Sequence, residues 1–236
     1  MSEATRSPIL AAVGGGVVGS VLTAAILLLA APQFMSSKIV RQGLMSDPQI
    51  LVETADALRD RQFAPTIGQN KVALETPFAS SWKGSAKPDV VLVEFYDYAC
   101  PYCKASNPHV EQLIKEDPGL RVVYRELPIL GPESVNAARL SLAASKAGKF
   151  RQFHDALYDA GRPAPETNGK AAQVAGIPAT PSNDPGIEAE LKRNFQLAGQ
   201  LGASGTPLFV VGDRVLNGAV GYDTLKKAIA DARSKS

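Results

Sequence analysis

A short, almost uninterrupted apolar segment at residues 90–96 leads, after a three-residue turn, into the sequence Cys100-Pro101-Tyr102-Cys103. Apolar runs of this length are typical of central strands that are covered on both faces, as in parallel sheets. Residues 100–115 then predict a helix, and residues 120–126 are rich in β-forming side chains. This order of strand, helix and strand predicts a βαβ unit in an α/β fold, with Cys100 at the start of the helix.

The chain beyond this unit predicts a helical region, a β-hairpin and a last helix. The helical region is expected at about residues 130–203, the hairpin at residues 208–216 and the last helix at residues 222–233. A length of 236 residues suits one main domain. We therefore predict a single domain at residues 89–236, with a helical insertion between its two groups of strands.

The two cysteines are the only ones in the chain. A disulfide between Cys100 and Cys103 would close a very short loop, so it would remove little entropy from the unfolded chain. The pair is better explained by reactivity. At a helix N-terminus the free N–H groups and the helix dipole favour the thiolate of Cys100, which is the attacking species in thiol-disulfide exchange. Cys103, one turn further along, is the candidate resolving thiol.

Metal binding is the main alternative reading of a CxxC motif. A zinc site needs two more ligands, and the only histidines are His109 and His154. His109 lies nine residues after Cys100, which places it on the opposite side of the helix, and His154 lies in an apolar helical pattern. We assign no metal ligand and no cofactor, although transient copper(I) binding by the two thiols remains an alternative.

The charge balance argues against a nucleic-acid partner. The chain has 25 Lys and Arg residues against 23 Asp and Glu residues, so the net charge is +2. No run of basic residues is present that would follow a phosphate backbone.

The N-terminal part predicts a membrane anchor at residues 1–37. Residues 9–31 form an apolar run of sufficient length to span a bilayer. The competing interpretation is a cleaved signal peptide, but the apolar region of such a peptide is shorter. We expect an uncleaved, single-pass anchor.

Residues 38–63 predict a short amphipathic helical segment. Its helix begins near Asp47 and Pro48, ends near Gln62, and carries a narrow apolar stripe. The stripe is compatible either with self-association or with a simple spacer. Residues 64–88 are rich in Pro, Gly, Ser and Lys and predict a linker that leads into the domain.

Two motifs in this order resemble the DsbA-like branch of the thioredoxin fold. They are Glu94-Phe95-x-Asp97-Tyr98-x-Cys100-Pro101-Tyr102-Cys103 and Gly205-Thr206-Pro207-Leu208-Phe209-Val210. The resemblance covers about residues 75–233. It implies that Cys100 and Cys103 form a redox-active disulfide, that Pro207 is a cis-proline facing it, and that Thr206 offers its backbone to an extended client peptide.

The same resemblance implies that Glu94 is a buried acid that assists proton transfer at the resolving cysteine. Burial is expected to raise the pKa of its carboxyl group, which suits that task. A structural carboxylate with satisfied hydrogen bonds is the alternative.

The segment at residues 38–62 resembles the N-terminal region of copper-sensitivity suppressor proteins of the C type, on two short stretches. These are Asp47-Pro48-x-x-Leu51-Val52-Glu53 and Arg59-Asp60-Arg61-Gln62. That resemblance implies self-association and favours a disulfide isomerase or reductase over a dedicated oxidase. An isomerase would be kept reduced by a membrane partner of the DsbD type, and an oxidase would be kept oxidised by one of the DsbB type.

We therefore expect a thiol-disulfide oxidoreductase that acts on cysteine-containing client proteins. Its expected location is the bacterial inner membrane, with the catalytic domain in the periplasm. The alternative is a copper-binding or chaperone-like protein that uses the two thiols as ligands or does not use them.

Overall fold

The computed structural model describes residues 38–235 of the chain. Two compact units are present, of which the first ends at Ala57 and the second begins at Leu58. In the first unit, residues 38–46 are helical (α1). The predicted anchor at residues 1–37 lies outside the described residues. Within residues 38–235, none of the helices combines the length and the apolar character that crossing a bilayer requires.

From residue 90 onward, the remaining elements follow the order that the sequence predicts for a thioredoxin-like α/β fold. They are α2 Gln49–Glu75, β1 Trp82–Gly84, β2 Val90–Tyr96, α3 Pro101–Glu116, β3 Leu120–Glu126, α4 Pro132–Lys146, α5 Phe150–Ala160, α6 Pro165–Ala175, α7 Pro185–Gln200, β4 Leu208–Val211, β5 Arg214–Asn217 and α8 Tyr222–Arg233. The sheet has the order β1-β3-β2-β4-β5. β2 and β3 are parallel, and the other pairs are antiparallel. The βαβ unit and the helical insertion, formed by α4 to α7, are confirmed.

The continuous apolar character of β2 is explained by its central position, because helices cover both faces of the sheet. On one face, Leu92 and Tyr96 pack with residues of α3, α5 and α8. On the other face, Val93 and Phe95 pack with residues of α2 and α7. Alternate residues of one strand therefore enter two separate cores.

The prediction that the helix ends near Gln62 and that a linker covers residues 64–88 is wrong for much of that segment. Helix α2 continues to Glu75 and contains Pro65, and β1 pairs with the edge of β3. Proline inside a helix usually breaks it. Here tertiary packing outweighs that tendency, because Ile67 and Leu74 are buried in the core beside α7.

Candidate active site

Cys100 lies at the point where the central strand gives way to helix α3. The Asp97 carbonyl oxygen accepts a hydrogen bond from the Cys100 N–H at 3.0 Å, which closes the turn after β2. Cys100 is the N-cap residue, with extended backbone angles, and Pro101 occupies the first helical position. Proline suits that position because its missing N–H would have no partner inside the helix. The prediction that Cys100 begins a helix is confirmed.

The two thiols differ in their access to solvent. Both are free, but 5% of Cys100 is exposed while Cys103 is fully buried. The Cys100 Sγ lies 3.2 Å from the Thr206 carbonyl oxygen and donates a hydrogen bond to it. Both thiols are thus buried, and Cys100 is the more accessible of the two.

Thr206 reaches Cys100 because of the register between β2 and β4. These strands are antiparallel, with Phe95 opposite Leu208, so the residues just before β4 lie beside the end of β2. The Thr206–Pro207 peptide bond is cis, as the resemblance implied. The role of Thr206 and Pro207 in binding a client peptide stays a prediction.

Glu94 is buried in β2, and neither of its carboxylate oxygens has a hydrogen-bond partner among the described residues. Burial raises the pKa of Glu94 to about 8, the positive charge of Lys83 opposes this shift, and the negative charge of Glu111 reinforces it. The expected upward shift is therefore present. The role of Glu94 in proton transfer at Cys103 stays a prediction.

Lys83 is a site residue that the sequence analysis missed, because it lies in the segment predicted as a linker. Its buried ammonium group forms ion pairs with Glu111 of α3 and Asp155 of α5. It lies 5.7 Å from the centroid of the Tyr124 ring, and Tyr124 is directly opposite Glu94 in the β2–β3 ladder. Lys83 itself is opposite Val122, two residues before Tyr124, and its positive charge acts on the buried acid and lowers the pKa of Glu94. A single lysine in a polar segment gives no indication in the sequence that its side chain will be buried near Glu94.

The pKa of Cys103 is raised, mainly by burial and then by the negative charge of Glu94. The Asp97 N–H and the Thr206 hydroxyl act in the opposite direction and favour the thiolate. That hydroxyl makes no hydrogen bond of standard geometry, so its effect is the weaker of the two. Cys103 therefore needs a base before it can attack, and Glu94, whose charge acts on Cys103 and whose pKa is about 8, is the candidate for that base.

The two histidines do not join the cysteines. His154 is buried in the core, and its Nδ1 lies 3.2 Å from the Tyr98 hydroxyl. Its pKa is lowered well below the usual value by burial and by the charge of Lys83, so the ring is neutral. Within residues 38–235, no three His, Cys, Asp or Glu side chains are grouped so as to hold a metal ion.

Replacing Glu94 with glutamine is expected to change how stability depends on pH. Between the ordinary pKa of 4.5 and about 8, the folded chain keeps a proton that the unfolded chain loses, so the free energy of unfolding falls as the pH rises. Glu94→Gln removes this contribution, which amounts to about 1.4 kcal/mol per pH unit. Urea unfolding at pH 5, 6 and 7 measures the change in slope.

Glu126 provides the matched control for this experiment. It is also buried, and burial raises its pKa to about 8, but its carboxylate accepts a hydrogen bond from the Tyr96 hydroxyl. Glu126→Gln is expected to reduce the dependence of stability on pH in the same way. Unlike Glu94→Gln, it should not slow the release of a client from Cys100. Equal slopes for Glu94→Gln and the unmodified chain would contradict the raised pKa of Glu94.

The chain is similar to solved thioredoxin-like proteins over most of its length. It is 36% identical to a thioredoxin-like oxidoreductase from Silicibacter pomeroyi, covering 71% of this chain and 99% of that one, with a TM-score of 0.66. It is 29% identical to Proteus mirabilis ScsC in a transitional conformation, covering 88% of this chain and 99% of that one, with a TM-score of 0.68. The resemblance to the C-type copper-sensitivity suppressor proteins is thereby supported.

Part of the chain is also similar to larger proteins. The chain is 28% identical over 157 residues to the Na⁺/H⁺ antiporter NhaA 3 of Salinispora tropica, covering 64% of this chain and 24% of the antiporter. It thus spans no more than about a quarter of the length of the curated relatives described. A family model for the DsbA-like thioredoxin domain matches residues 91–230, which include Cys100, Cys103 and Pro207. The chain therefore belongs to the DsbA-like thioredoxin domain family.

Proposed function

We propose that the protein carries out thiol-disulfide exchange with cysteine-containing client proteins through Cys100 and Cys103. The observation that carries this proposal is the arrangement of the two thiols at the first turn of α3. Cys100, of which 5% is exposed, lies against the Thr206 carbonyl oxygen, and Cys103 is fully buried one turn further along.

In the reducing direction, the Cys100 thiolate attacks one sulfur of a client disulfide and forms a mixed disulfide. The second client sulfur leaves as a thiolate and takes a proton from solvent. Cys103 then transfers its proton to the ionised carboxylate of Glu94, attacks the Cys100 sulfur and releases the first client sulfur as a thiolate, which takes a proton from solvent. Two client thiols and a Cys100–Cys103 disulfide result. In isomerisation, a client thiolate attacks the mixed disulfide instead and returns Cys100 as a thiolate.

Isomerase or reductase activity is the proposed direction, in preference to oxidation. The similarity to the C-type suppressor proteins supports this choice. The rate at which scrambled ribonuclease regains activity should therefore exceed the rate at which the protein oxidises reduced ribonuclease. Alkylation of Cys100 and Cys103 in cells should find them mostly reduced, which a DsbD-type partner would maintain. Rapid oxidation without unscrambling would refute the direction and favour a DsbB-type partner.

The proposed location is the periplasmic side of the bacterial inner membrane, with residues 9–31 as the anchor. The length and apolar character of that run support the proposal. A thiol reagent that cannot cross the inner membrane should label Cys100 in intact spheroplasts, and the protein should remain in carbonate-washed membranes. Labelling that requires lysis would rule out this orientation.

Self-association through residues 38–62 is proposed as well. Several apolar side chains of this segment are exposed in the single chain, namely Ile39, Val40, Met45, Leu51 and Leu58. Such side chains are usually buried, and a second copy of the segment would bury them. Light scattering on the detergent-solubilised chain should give the mass of an oligomer, and Leu51→Lys with Leu58→Lys should reduce it to that of one chain. A monomeric mass for the unmodified chain would refute self-association.

A further inference from the structure

Asp97, three residues before Cys100, has more hydrogen-bond partners than a turn residue needs. Its side chain is buried, and Oδ1 accepts a hydrogen bond from the Ala99 N–H at 2.8 Å. This contact is the usual one for an aspartate that stabilises its own turn. Oδ2 accepts two more hydrogen bonds, from the N–H groups of Ile129 and Leu130, at 2.8 and 2.9 Å.

The second pair of contacts joins the active-site turn to the segment between β3 and α4. In that segment Leu127 is bonded to the end of β2, since its N–H donates to the Tyr96 carbonyl oxygen at 2.8 Å. The side chains of Ile129 and Leu130 are 44% and 43% exposed although both are apolar. Their N–H groups bond to Asp97, so the backbone is fixed from within while the side chains face outward.

The contacts of Asp97 with the cysteines run through its backbone. Its carbonyl oxygen accepts from the Cys100 N–H at 3.0 Å, and its N–H favours the thiolate of Cys103. One residue therefore contacts the turn, Cys100 and the neighbouring loop. Hydrogen bonds to a charged acceptor are the strong ones among protein hydrogen bonds, so this arrangement is rigid.

We propose that Asp97 is a positioning residue for exchange with protein clients. Its carboxylate fixes the backbone of Ile129 and Leu130 to the turn that leads into Cys100. A protein client then contacts the exposed side chains of Ile129 and Leu130 while one of its sulfur atoms reacts with Cys100. This inference rests on the proposed function. It predicts that the loop contacts matter for large clients and not for a small disulfide, which needs Cys100 alone.

Two substitutions separate the hydrogen bond of Asp97 within its own turn from its hydrogen bonds to Ile129 and Leu130. In Asp97→Ser the short hydroxyl can still accept from the Ala99 N–H but cannot reach Ile129 and Leu130. In Asp97→Asn the amide oxygen can bond to the loop, and the NH₂ group then opposes the Ala99 N–H. The serine variant thus releases the loop, and the asparagine variant disturbs the turn.

The test measures how fast the reduced protein is oxidised by glutathione disulfide and by scrambled ribonuclease. For Asp97→Ser we expect at least about a tenfold loss with ribonuclease and less than about a twofold change with glutathione disulfide. For Asp97→Asn we expect both rates to fall. Asp117→Ser is the matched control, because Asp117 makes a similar contact with the Gly119 N–H at the other end of α3. It should leave both rates unchanged.

A second variant keeps the inference testable if Asp97→Ser does not fold. Replacing the exposed Ile129 and Leu130 with serine leaves Asp97 in place and should produce the same selective loss with ribonuclease. Equal effects on both reagents, or no effect on either, in Asp97→Ser or in the loop variant would overturn the inference. If the unmodified protein reacts with neither reagent, the proposed function itself fails, which is a different result.

Discussion

Replacing Cys103 with alanine should leave the protein covalently attached to its clients. Cys100 remains at the start of α3 and forms the mixed disulfide, but the buried thiol that would release the client is gone. The mixed disulfide then persists until an external thiol attacks it. We expect adducts that disappear on reduction with dithiothreitol, and turnover of scrambled ribonuclease by the reductive route should fall to the uncatalysed rate.

Non-reducing gels of cells that produce the Cys103→Ala variant, followed by mass spectrometry of the adducts, measure this result. Cys100→Ala is the matched control, because it removes the attacking sulfur and should give neither adducts nor exchange. A copper-binding or chaperone-like protein would form no such adducts. The absence of reducible adducts in Cys103→Ala would therefore refute the enzymatic proposal and favour that alternative.

The parts of the fold that the sequence predicts correctly are those specified by neighbouring residues. The run at residues 90–96 is apolar on both sides because β2 is central, and the turn and Pro101 then mark the start of α3. The same local information identifies Cys100 and Cys103. It also predicts the raised pKa of Glu94, because a carboxylate in such a strand has little chance of reaching water.

The parts that the sequence does not predict depend on residues far along the chain. Pro65 and Gly68 indicate the end of a helix, yet α2 continues because Ile67 and Leu74 are buried against the sheet. The position of the Lys83 ammonium group is determined by its ion pairs with Glu111 and Asp155, which are 28 and 72 residues away in the sequence. No pattern within a short window contains such contacts.

Asp97 is an intermediate case. An aspartate just after a strand signals a turn, and its contact with Ala99 follows from that signal. Its contacts with Ile129 and Leu130 cannot be inferred from the turn, because they require β2 and β3 to end side by side. The sequence therefore identifies the residue type but not its second role.

Replacing Arg125 with alanine is expected to destabilise the fold by about 3–5 kcal/mol, because it breaks a buried ion pair by removing one partner. The Arg125 guanidinium is buried in β3 and donates to Glu190 Oε1 of α7 at 2.8 Å. It also donates to the carbonyl oxygens of Leu74 and Thr76 at the end of α2, at 3.1 and 2.8 Å. The substitution leaves a buried carboxylate and two helix-terminal carbonyl groups without these donors.

Urea unfolding followed by the fluorescence of Trp82, the single tryptophan, measures this loss. The control is Arg139→Ala, because Arg139 pairs with the exposed Glu188, and such surface pairs contribute about 1 kcal/mol or less. The double substitution Arg125→Met with Glu190→Met removes both buried charges and should be less destabilising than Arg125→Ala. If Arg125→Ala cost no more than Arg139→Ala, the end of α2 would not depend on this arginine, and the burial of Ile67 and Leu74 alone would have to explain why the helix continues past Pro65.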